Sequence, residues 1–127
     1  MEPAELAEAI TRATTDARVP SIRFALDGEV LAASEPLLVL LGYSRDEFLS
    51  IDWDELTPPA YWGLDEICLA QLAKGSMADP YVKEFTRKNG SRVAARVFCA
   101  RSSGGNDAIA VVVELAERTN PFDDPLR

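Results

Sequence analysis

The sequence predicts an α+β domain: a five-stranded antiparallel sheet with helices on one face and an N-terminal amphipathic helix on the other. Three observations lead to this fold class. The chain has 127 residues, which suits one domain. The predicted elements follow the order helix, two strands, several helices, three strands, and such an order builds an antiparallel sheet with helices on one face. Two dipeptides, Asp27-Gly28 and Asn89-Gly90, mark hairpin turns.

An amphipathic helix is predicted over residues 1–19. Its apolar positions recur at helical spacing with charged residues between them: Leu6, Ile10 and Ala13. Pro20 ends this helix. The helix is therefore expected to present one small apolar stripe to whatever covers it.

Five strands are predicted from apolar runs bounded by turn residues. They cover residues 21–26, 30–33, 80–88, 92–102 and 107–115. Along the fourth strand, one face carries Val93, Ala95, Val97 and Cys99, and the other carries two arginines. Because arginines are costly to bury, the sequence predicts that the apolar set faces the core.

Three helices are predicted between the second and third strands. Ser34 can cap the first helix, and Gly42 can end it in the left-handed conformation. Ser44 and Glu47 have the spacing of a capping box, which starts the second helix. A Thr-Pro pair signals the start of the third, which covers residues 58–74.

Two of these motifs together resemble PAS domains, which are small sensory and dimerisation modules. They are Gly42-Tyr43-Ser44 between two helices and Asn89-Gly90-Ser91 in the later hairpin. The resemblance covers residues 20–118. It leaves residues 1–19 as a cap or dimerisation helix and residues 119–127 as a polar tail.

The resemblance implies two alternative functions. A sensory module would bind a small apolar ligand or a protein partner and would signal through the packing of a homodimer. An interaction module would have a filled interior and would bind itself or a signalling protein, such as a kinase or a transcription regulator. Residues 114–118 correspond to the family signature that leads to output elements. The chain is interpreted either as free-standing or as a domain of a larger sensor histidine kinase or regulator.

The resemblance argues against the common PAS cofactors. Trp53 stands where blue-light-sensing members carry a reactive cysteine. Phe85, Ala95 and Val112 stand where those members hold the flavin ring with amides. The chain has no histidine, which excludes histidine-ligated haem. The identity of any ligand stays open.

A candidate ligand pocket is predicted on the core face of the sheet. Its lining combines aromatic, small apolar and thiol side chains: Trp53, Trp62, Cys68, Phe85, Ala95, Val97, Cys99 and Val112. An apolar lining is typical of ligand pockets. The alternative is that the aromatic rings fill the space, because protein interiors are close-packed.

A candidate dimer interface is predicted on the opposite face of the sheet. The last strand is apolar on both faces, and such a strand is covered on both sides. The candidate residues are Leu6, Ile10, Ala13, Phe98, Val111 and Val113. Cover by the N-terminal helix of the same chain is the alternative to a second subunit.

Charge and composition exclude several classes of function. The net charge of −8 repels phosphate backbones and anionic membranes, so no direct nucleic-acid or membrane partner is expected. No apolar run approaches the ~20 residues of a membrane span. The two cysteines have no metal-ligand spacing, and they are interpreted as reduced thiols of a cytoplasmic protein.

No catalytic constellation is found in the sequence, so the chain is predicted not to be an enzyme. The acidic cluster in residues 46–55 is interpreted as a solvated face. Asp65 and Glu66 are the only carboxylates that could enter the pocket, and the helical pattern places both at the surface.

Overall fold

The computed structural model describes residues 18–102 and 105–115. Five strands form one antiparallel sheet in the order β2-β1-β5-β4-β3. These are β1 (Ser21–Ala25), β2 (Val30–Ala33), β3 (Tyr81–Thr86), β4 (Arg92–Arg101) and β5 (Asp107–Glu114). The predicted N-terminal helix, with Leu6, Ile10 and Ala13, lies outside the described residues, as does the predicted tail.

The helices connect β2 to β3 and cover one face of the sheet. They are α1 (Glu35–Leu41), α2 (Arg45–Leu49), α3 (Trp53–Leu56), a 3-10 helix (Pro59–Tyr61) and α4 (Trp62–Lys74). This arrangement confirms the predicted α+β class. The longest of the described helices has 13 residues, so none of them is long enough to span a membrane.

The central strand β5 lies between β1 and β4 in the sheet. It pairs with β1 on one side and with β4 on the other, so Ala110 lies opposite both Ile22 and Cys99. The hairpins predicted at Asp27-Gly28 and Asn89-Gly90 are both formed. The sheet therefore brings the first hairpin next to the last three strands.

The predicted face assignment of β4 is confirmed. Val93, Ala95, Val97 and Cys99 are all buried, whereas the arginines on the other face, Arg92 and Arg96, are exposed. The alternation of side chains along a strand places the whole apolar set beneath the helices. This inner face forms the floor of the core.

The third predicted helix is wrong in detail. The sequence pattern predicts one helix over residues 58–74, but a separate 3-10 turn precedes α4, and the short helix α3 was not predicted. Thr57 does not act as an N-cap: Pro58 directly precedes the 3-10 turn, and the Thr57 hydroxyl accepts a hydrogen bond from Lys83 instead. Ser34 does occupy the N-cap position of α1, but its hydroxyl donates to the carbonyl of Val19 instead of capping the helix.

The prediction that Asp65 lies at the surface is also wrong. Asp65, Cys68 and Leu72 are the buried residues of α4, and their spacing places them on one side of that helix. Ile67, on the same helix, is 56% exposed. The helix therefore buries a carboxylate and exposes an isoleucine. Glu66 is exposed, as predicted.

The residues next to the two motifs that carry the resemblance contact each other. The backbone N–H of Lys88 donates to the carbonyl of Leu41 at 3.0 Å, just before Gly42. The Lys88 ammonium also lies 2.5 Å from Oε2 of Glu47 in the capping box of α2. The β3–β4 hairpin thus docks on the corner between α1 and α2. This contact brings the two distant motifs close together in space.

Candidate functional site

A lysine lies at the centre of the inner face of the sheet. Tyr81, Lys83 and Phe85 alternate along β3 and point towards the helices, and Lys83 is 0% exposed. Its cross-strand neighbour on β4 is Ala95, whose side chain is small. This small neighbour leaves room for the long lysine side chain inside the core.

Three oxygen atoms surround the buried ammonium group. Nζ of Lys83 lies 3.0 Å and 3.1 Å from the two carboxylate oxygens of Asp65, and it donates to the hydroxyl of Thr57 at 2.6 Å. A buried charge is tolerated only when it is paired and hydrogen-bonded. The residues around Lys83 meet both conditions.

The carboxylate of Asp65 accepts two further hydrogen bonds. The hydroxyl of Tyr81 donates to Oδ1 at 2.7 Å, and the indole N–H of Trp53 donates to Oδ2 at 2.9 Å. Each oxygen therefore accepts two hydrogen bonds, which uses the acceptor capacity of the group. We call Trp53, Thr57, Asp65, Tyr81 and Lys83 the core polar cluster. In this state Asp65 has no free lone pair for acid–base chemistry.

Two aromatic rings complete the surroundings of the ammonium group. Nζ of Lys83 lies 4.3 Å from the ring centroid of Phe85 and 4.8 Å from that of Trp53. Cations are attracted to aromatic faces at such distances. The Trp53 ring also packs on Phe24, with centroids 5.4 Å apart. Trp53 therefore links the core polar cluster to the apolar core.

Burial shifts the pKa values of the cluster in opposite directions. It lowers the pKa of Lys83 below that of an exposed lysine, and the nearby carboxylate of Asp65 opposes this shift. It raises the pKa of Tyr81 well above the usual range, with the neighbouring Cys99 and Asp65 acting in the same direction. Tyr81 therefore stays protonated and acts as a hydrogen-bond donor.

Two thiols lie beside the core polar cluster. Cys68 is on α4, one turn after Asp65, and Cys99 is on the inner face of β4. Both are buried and free, and their side chains are in hydrogen-bonding contact. The hydrogen bond from Cys99 lowers the pKa of Cys68, and the same bond together with burial raises the pKa of Cys99.

Most residues of the candidate pocket meet in one place. Trp53 is partly buried and packs against the main core cluster. The buried pocket residues all belong to that cluster: Cys68, Phe85, Ala95, Val97, Cys99 and Val112. Trp62 does not join them, because it is 40% exposed and its indole N–H donates to the carbonyl of Thr57 at 2.8 Å.

Reasoning from the sequence missed Thr57, Tyr81 and Lys83 as site residues, and it considered Asp65 but placed it at the surface. One available signal was the period of two along β3, since an inward Phe85 requires an inward Lys83.

The outer face of the sheet carries a smaller apolar cluster. Ala100 and Ile109 are buried there, and Met77, Phe98 and Val111 pack against them. Phe98 and Val111 are cross-strand neighbours on β4 and β5, while Val113 is 47% exposed. The predicted interface residues on the strands therefore lie on one face, and three of the six predicted positions fall outside the described residues.

A family model described as "PAS domain" matches residues 22–117. This chain belongs to the PAS domain family. A PAS domain is a sensory module and is not catalytic by itself. The hybrid signal transduction protein dokA of Dictyostelium discoideum is 30% identical over 92 residues, which are 70% of this chain and 6% of that protein. The chain thus spans a small part of this much longer relative.

Solved structures show the same fold at lower identity. A domain of a sensory box sensor histidine kinase/response regulator from Geobacter sulfurreducens superposes with a TM-score of 0.67 at 18% identity, covering 85% of this chain and 93% of that one. The LOV protein of Rhodobacter sphaeroides gives a TM-score of 0.69 at 17% identity, and the superposition covers 94% of this chain and 71% of that one. A light-oxygen-voltage domain studied with a flavin analogue gives 0.66 at 22% identity, covering 86% of each chain.

The residues on the inner face of this PAS domain do not fit a flavin. The indole N–H of Trp53 donates to Asp65, and its ring packs on Phe24. Lys83 and its partners occupy the middle of the sheet face, and no buried side-chain N or O atom among the described residues lacks a hydrogen-bond partner. A flavin would have to displace the Lys83–Asp65 ion pair. Within residues 18–102 and 105–115, no group of metal-ligating side chains could hold a metal ion.

Proposed function

We propose that this PAS domain is a cytoplasmic signalling module that works through protein contacts on the outer face of its sheet, first with a second copy of itself. The observation that carries the proposal is the core polar cluster. Its charged groups are bonded to one another, so the interior is occupied by the protein's own side chains. This favours the interaction module over a sensor of small apolar ligands.

The relatives support the signalling part of the proposal. The protein from Dictyostelium discoideum is a hybrid signal transduction protein, and the structure from Geobacter sulfurreducens comes from a sensor histidine kinase/response regulator. We infer that the module serves a protein of that kind and that its partner is a kinase or another regulator. Two free, buried thiols suit the reducing cytoplasm.

The outer face supports the choice of surface. Phe98, Val111 and Val113 form an apolar strip across β4 and β5, and Val113 is the most exposed of the three. Val82 on β3 is also exposed. Apolar strips on the surface of a sheet mark interaction sites. A symmetric dimer would bury this strip against its own copy.

The deciding experiment is sedimentation equilibrium on the wild-type chain and on Val111→Arg. We expect a dimer for the wild type and a folded monomer for Val111→Arg. The matched control is Val39→Arg on α1, where the wild-type residue is 78% exposed on a helix, and this variant should dimerise normally. A monomeric wild type, or a Val111→Arg variant that still dimerises, would contradict the proposal.

Native mass spectrometry of freshly purified protein distinguishes the interaction module from the ligand-sensing module. A dimer without added mass is the expected result. A non-covalent added mass would show that the interior opens to admit a small molecule, and the ligand-sensing module would then replace the interaction module.

A further inference from the structure

Cys68 and Cys99 are far apart in the chain but adjacent in the core. Cys68 lies on the buried side of α4, between Asp65 and Leu72, and Cys99 lies next to Val97 on the inner face of β4. Because α4 packs on β4, the two thiols meet where the helix layer meets the sheet. They are the only two cysteines of the chain.

The surroundings of the two sulfur atoms are polar on one side. Burial and the carboxylate of Asp65 oppose a negative charge on Cys68, but the hydrogen bond from Cys99, the neighbouring Tyr81 and the Lys83 ammonium favour it and outweigh them. These groups lower the pKa of Cys68, while Cys99 keeps its proton more firmly. The thiolate is the nucleophilic form of cysteine, so the two residues differ in reactivity.

We propose that Cys68 and Cys99 form an oxidant-responsive dithiol, which a hydroperoxide converts to a disulfide that joins α4 to β4. The Cys68 thiolate attacks one peroxide oxygen, the O–O bond breaks, and the leaving oxygen takes up a proton, which produces water when the oxidant is hydrogen peroxide. Cys68 is then a sulfenic acid. Cys99 attacks its sulfur, the S–S bond forms, and the hydroxyl leaves as a second water.

This disulfide would link the helix layer to the sheet beside the core polar cluster. It would hold the position of α4 relative to β3 and β4 covalently, where the Lys83–Asp65 pair now holds it by charge. Disulfides of cytosolic proteins are usually transient and often sense redox state. Because both thiols are buried, the oxidant reaches them during local opening of α4, and the opening rate limits the reaction. The inference goes beyond the proposed function, because it stands whether or not the chain dimerises.

The test uses the 127-residue chain, reduced and then freed of reductant, with hydrogen peroxide as the probe. After treatment, free thiols are alkylated under denaturing conditions and the intact mass is measured. We expect a chain that has lost two hydrogen atoms and takes up no alkylating agent. Peptide mapping should identify a Cys68–Cys99 link, and dithiothreitol should reverse it. The oxidised chain should keep its circular dichroism spectrum and melt at a higher temperature.

Cys99→Ser is the matched control, because it keeps the attacking thiol and removes its partner. This variant should gain one oxygen at Cys68 and form no intrachain link. The same peroxide treatment of the urea-unfolded wild type verifies that the oxidant is active. The proposal would be overturned if native chains keep both thiols, if they gain oxygen without forming the Cys68–Cys99 link, or if they form links only between chains. These contradicting outcomes are all measured on the wild-type chain, so they do not depend on whether Cys99→Ser folds.

Discussion

Lys83 on β3 and Asp65 on α4 form an ion pair inside the core, with Nζ 3.0 Å from Oδ2 and both residues buried. The two residues belong to different layers, so the pair joins a helix to the sheet. Such pairs add little net stability over an apolar core, but removing one partner leaves an uncompensated buried charge. The pair therefore specifies which helix residue faces which strand residue.

Lys83→Met and Asp65→Asn should each destabilise the chain by about 3 to 5 kcal/mol, the range for breaking a buried ion pair. In Lys83→Met the carboxylate keeps Tyr81 and Trp53 but loses its countercharge. The free energy of unfolding is measured by urea denaturation. The double variant should cost clearly less than the sum of the two single variants, because neither charge remains.

The controls for this cycle are exposed residues of the same helix. Lys74→Met and Glu66→Gln should change the free energy of unfolding by about 0.5 kcal/mol or less. If the single core variants behave like these surface controls, the ion pair does not exist in solution. Strictly additive effects would show that Lys83 and Asp65 do not interact.

Ala95→Leu should destabilise the fold by about 1 to 3 kcal/mol, the usual cost of adding side-chain volume to a filled core. Ala95 is 0% exposed and lies opposite Lys83, so the larger side chain has to displace the lysine. Ala94→Leu on the half-buried outer face is the matched control, and a much smaller change is expected there. An Ala95→Leu variant as stable as the wild type would indicate open space and would support the ligand-pocket alternative.

Glu47 should make part of the stability depend on pH. Hydrogen bonds from Lys88, and then from the backbone and hydroxyl of Ser44, lower its pKa to about 2 from an ordinary 4.5. A carboxylate with a lowered folded-state pKa stabilises the fold fully above its unfolded pKa, and this contribution is lost as the pH falls from about 4.5 towards 2. Urea midpoints of the wild type should fall through this window.

Glu47→Gln should remove that part of the pH dependence, and its curve should be flatter between pH values of about 4.5 and 2. Asp46→Asn, at the neighbouring exposed position, keeps Glu47 and its partners and should retain it. A direct check is the NMR titration of the Glu47 carboxyl carbon. A midpoint near 4.5 in the folded chain would rule out the contacts with Lys88 and Ser44 as described.

Gly42→Ala and Gly63→Ala should have opposite effects on stability. Gly42 ends α1 at φ 83°, which disfavours any side chain, so alanine should cost about 1 kcal/mol. Gly63 lies within α4 and a Cβ there meets no atom within 4 Å, so alanine should stabilise by about 0.5 to 1 kcal/mol. Thermal melts of both variants test this pair. Equal shifts in the same direction would contradict the left-handed cap.

Local signals in the sequence predicted most of the fold. The capping box of Ser44 and Glu47, the left-handed glycine at Gly42 and the hairpin at Asn89-Gly90 depend on residues a few positions apart, and all three are present. The alternation along β4 also predicted its buried face. These features are decided by backbone preference and by side-chain period, which a single sequence reports directly.

The candidate site was predicted only in part. The apolar and thiol residues were chosen because apolar side chains are expected in a core, and this criterion passed over Lys83 and placed Asp65 at the surface. On α4 it also favoured Trp62, which is 40% exposed. A charged residue is normally assigned to the surface, and only a partner of opposite charge at the right place reverses that assignment.

The sequence by itself determined the order of the strands, the two hairpin turns, the caps at Gly42 and Ser44 and the resemblance to the PAS family, because these depend on neighbouring residues and short motifs. Only the tertiary structure decided that Lys83 meets Asp65 and that Cys68 meets Cys99. Each pair joins α4 to a strand of the sheet, and the free energy of such a contact depends on the distance between layers and on burial. Neither quantity exists until the chain has folded.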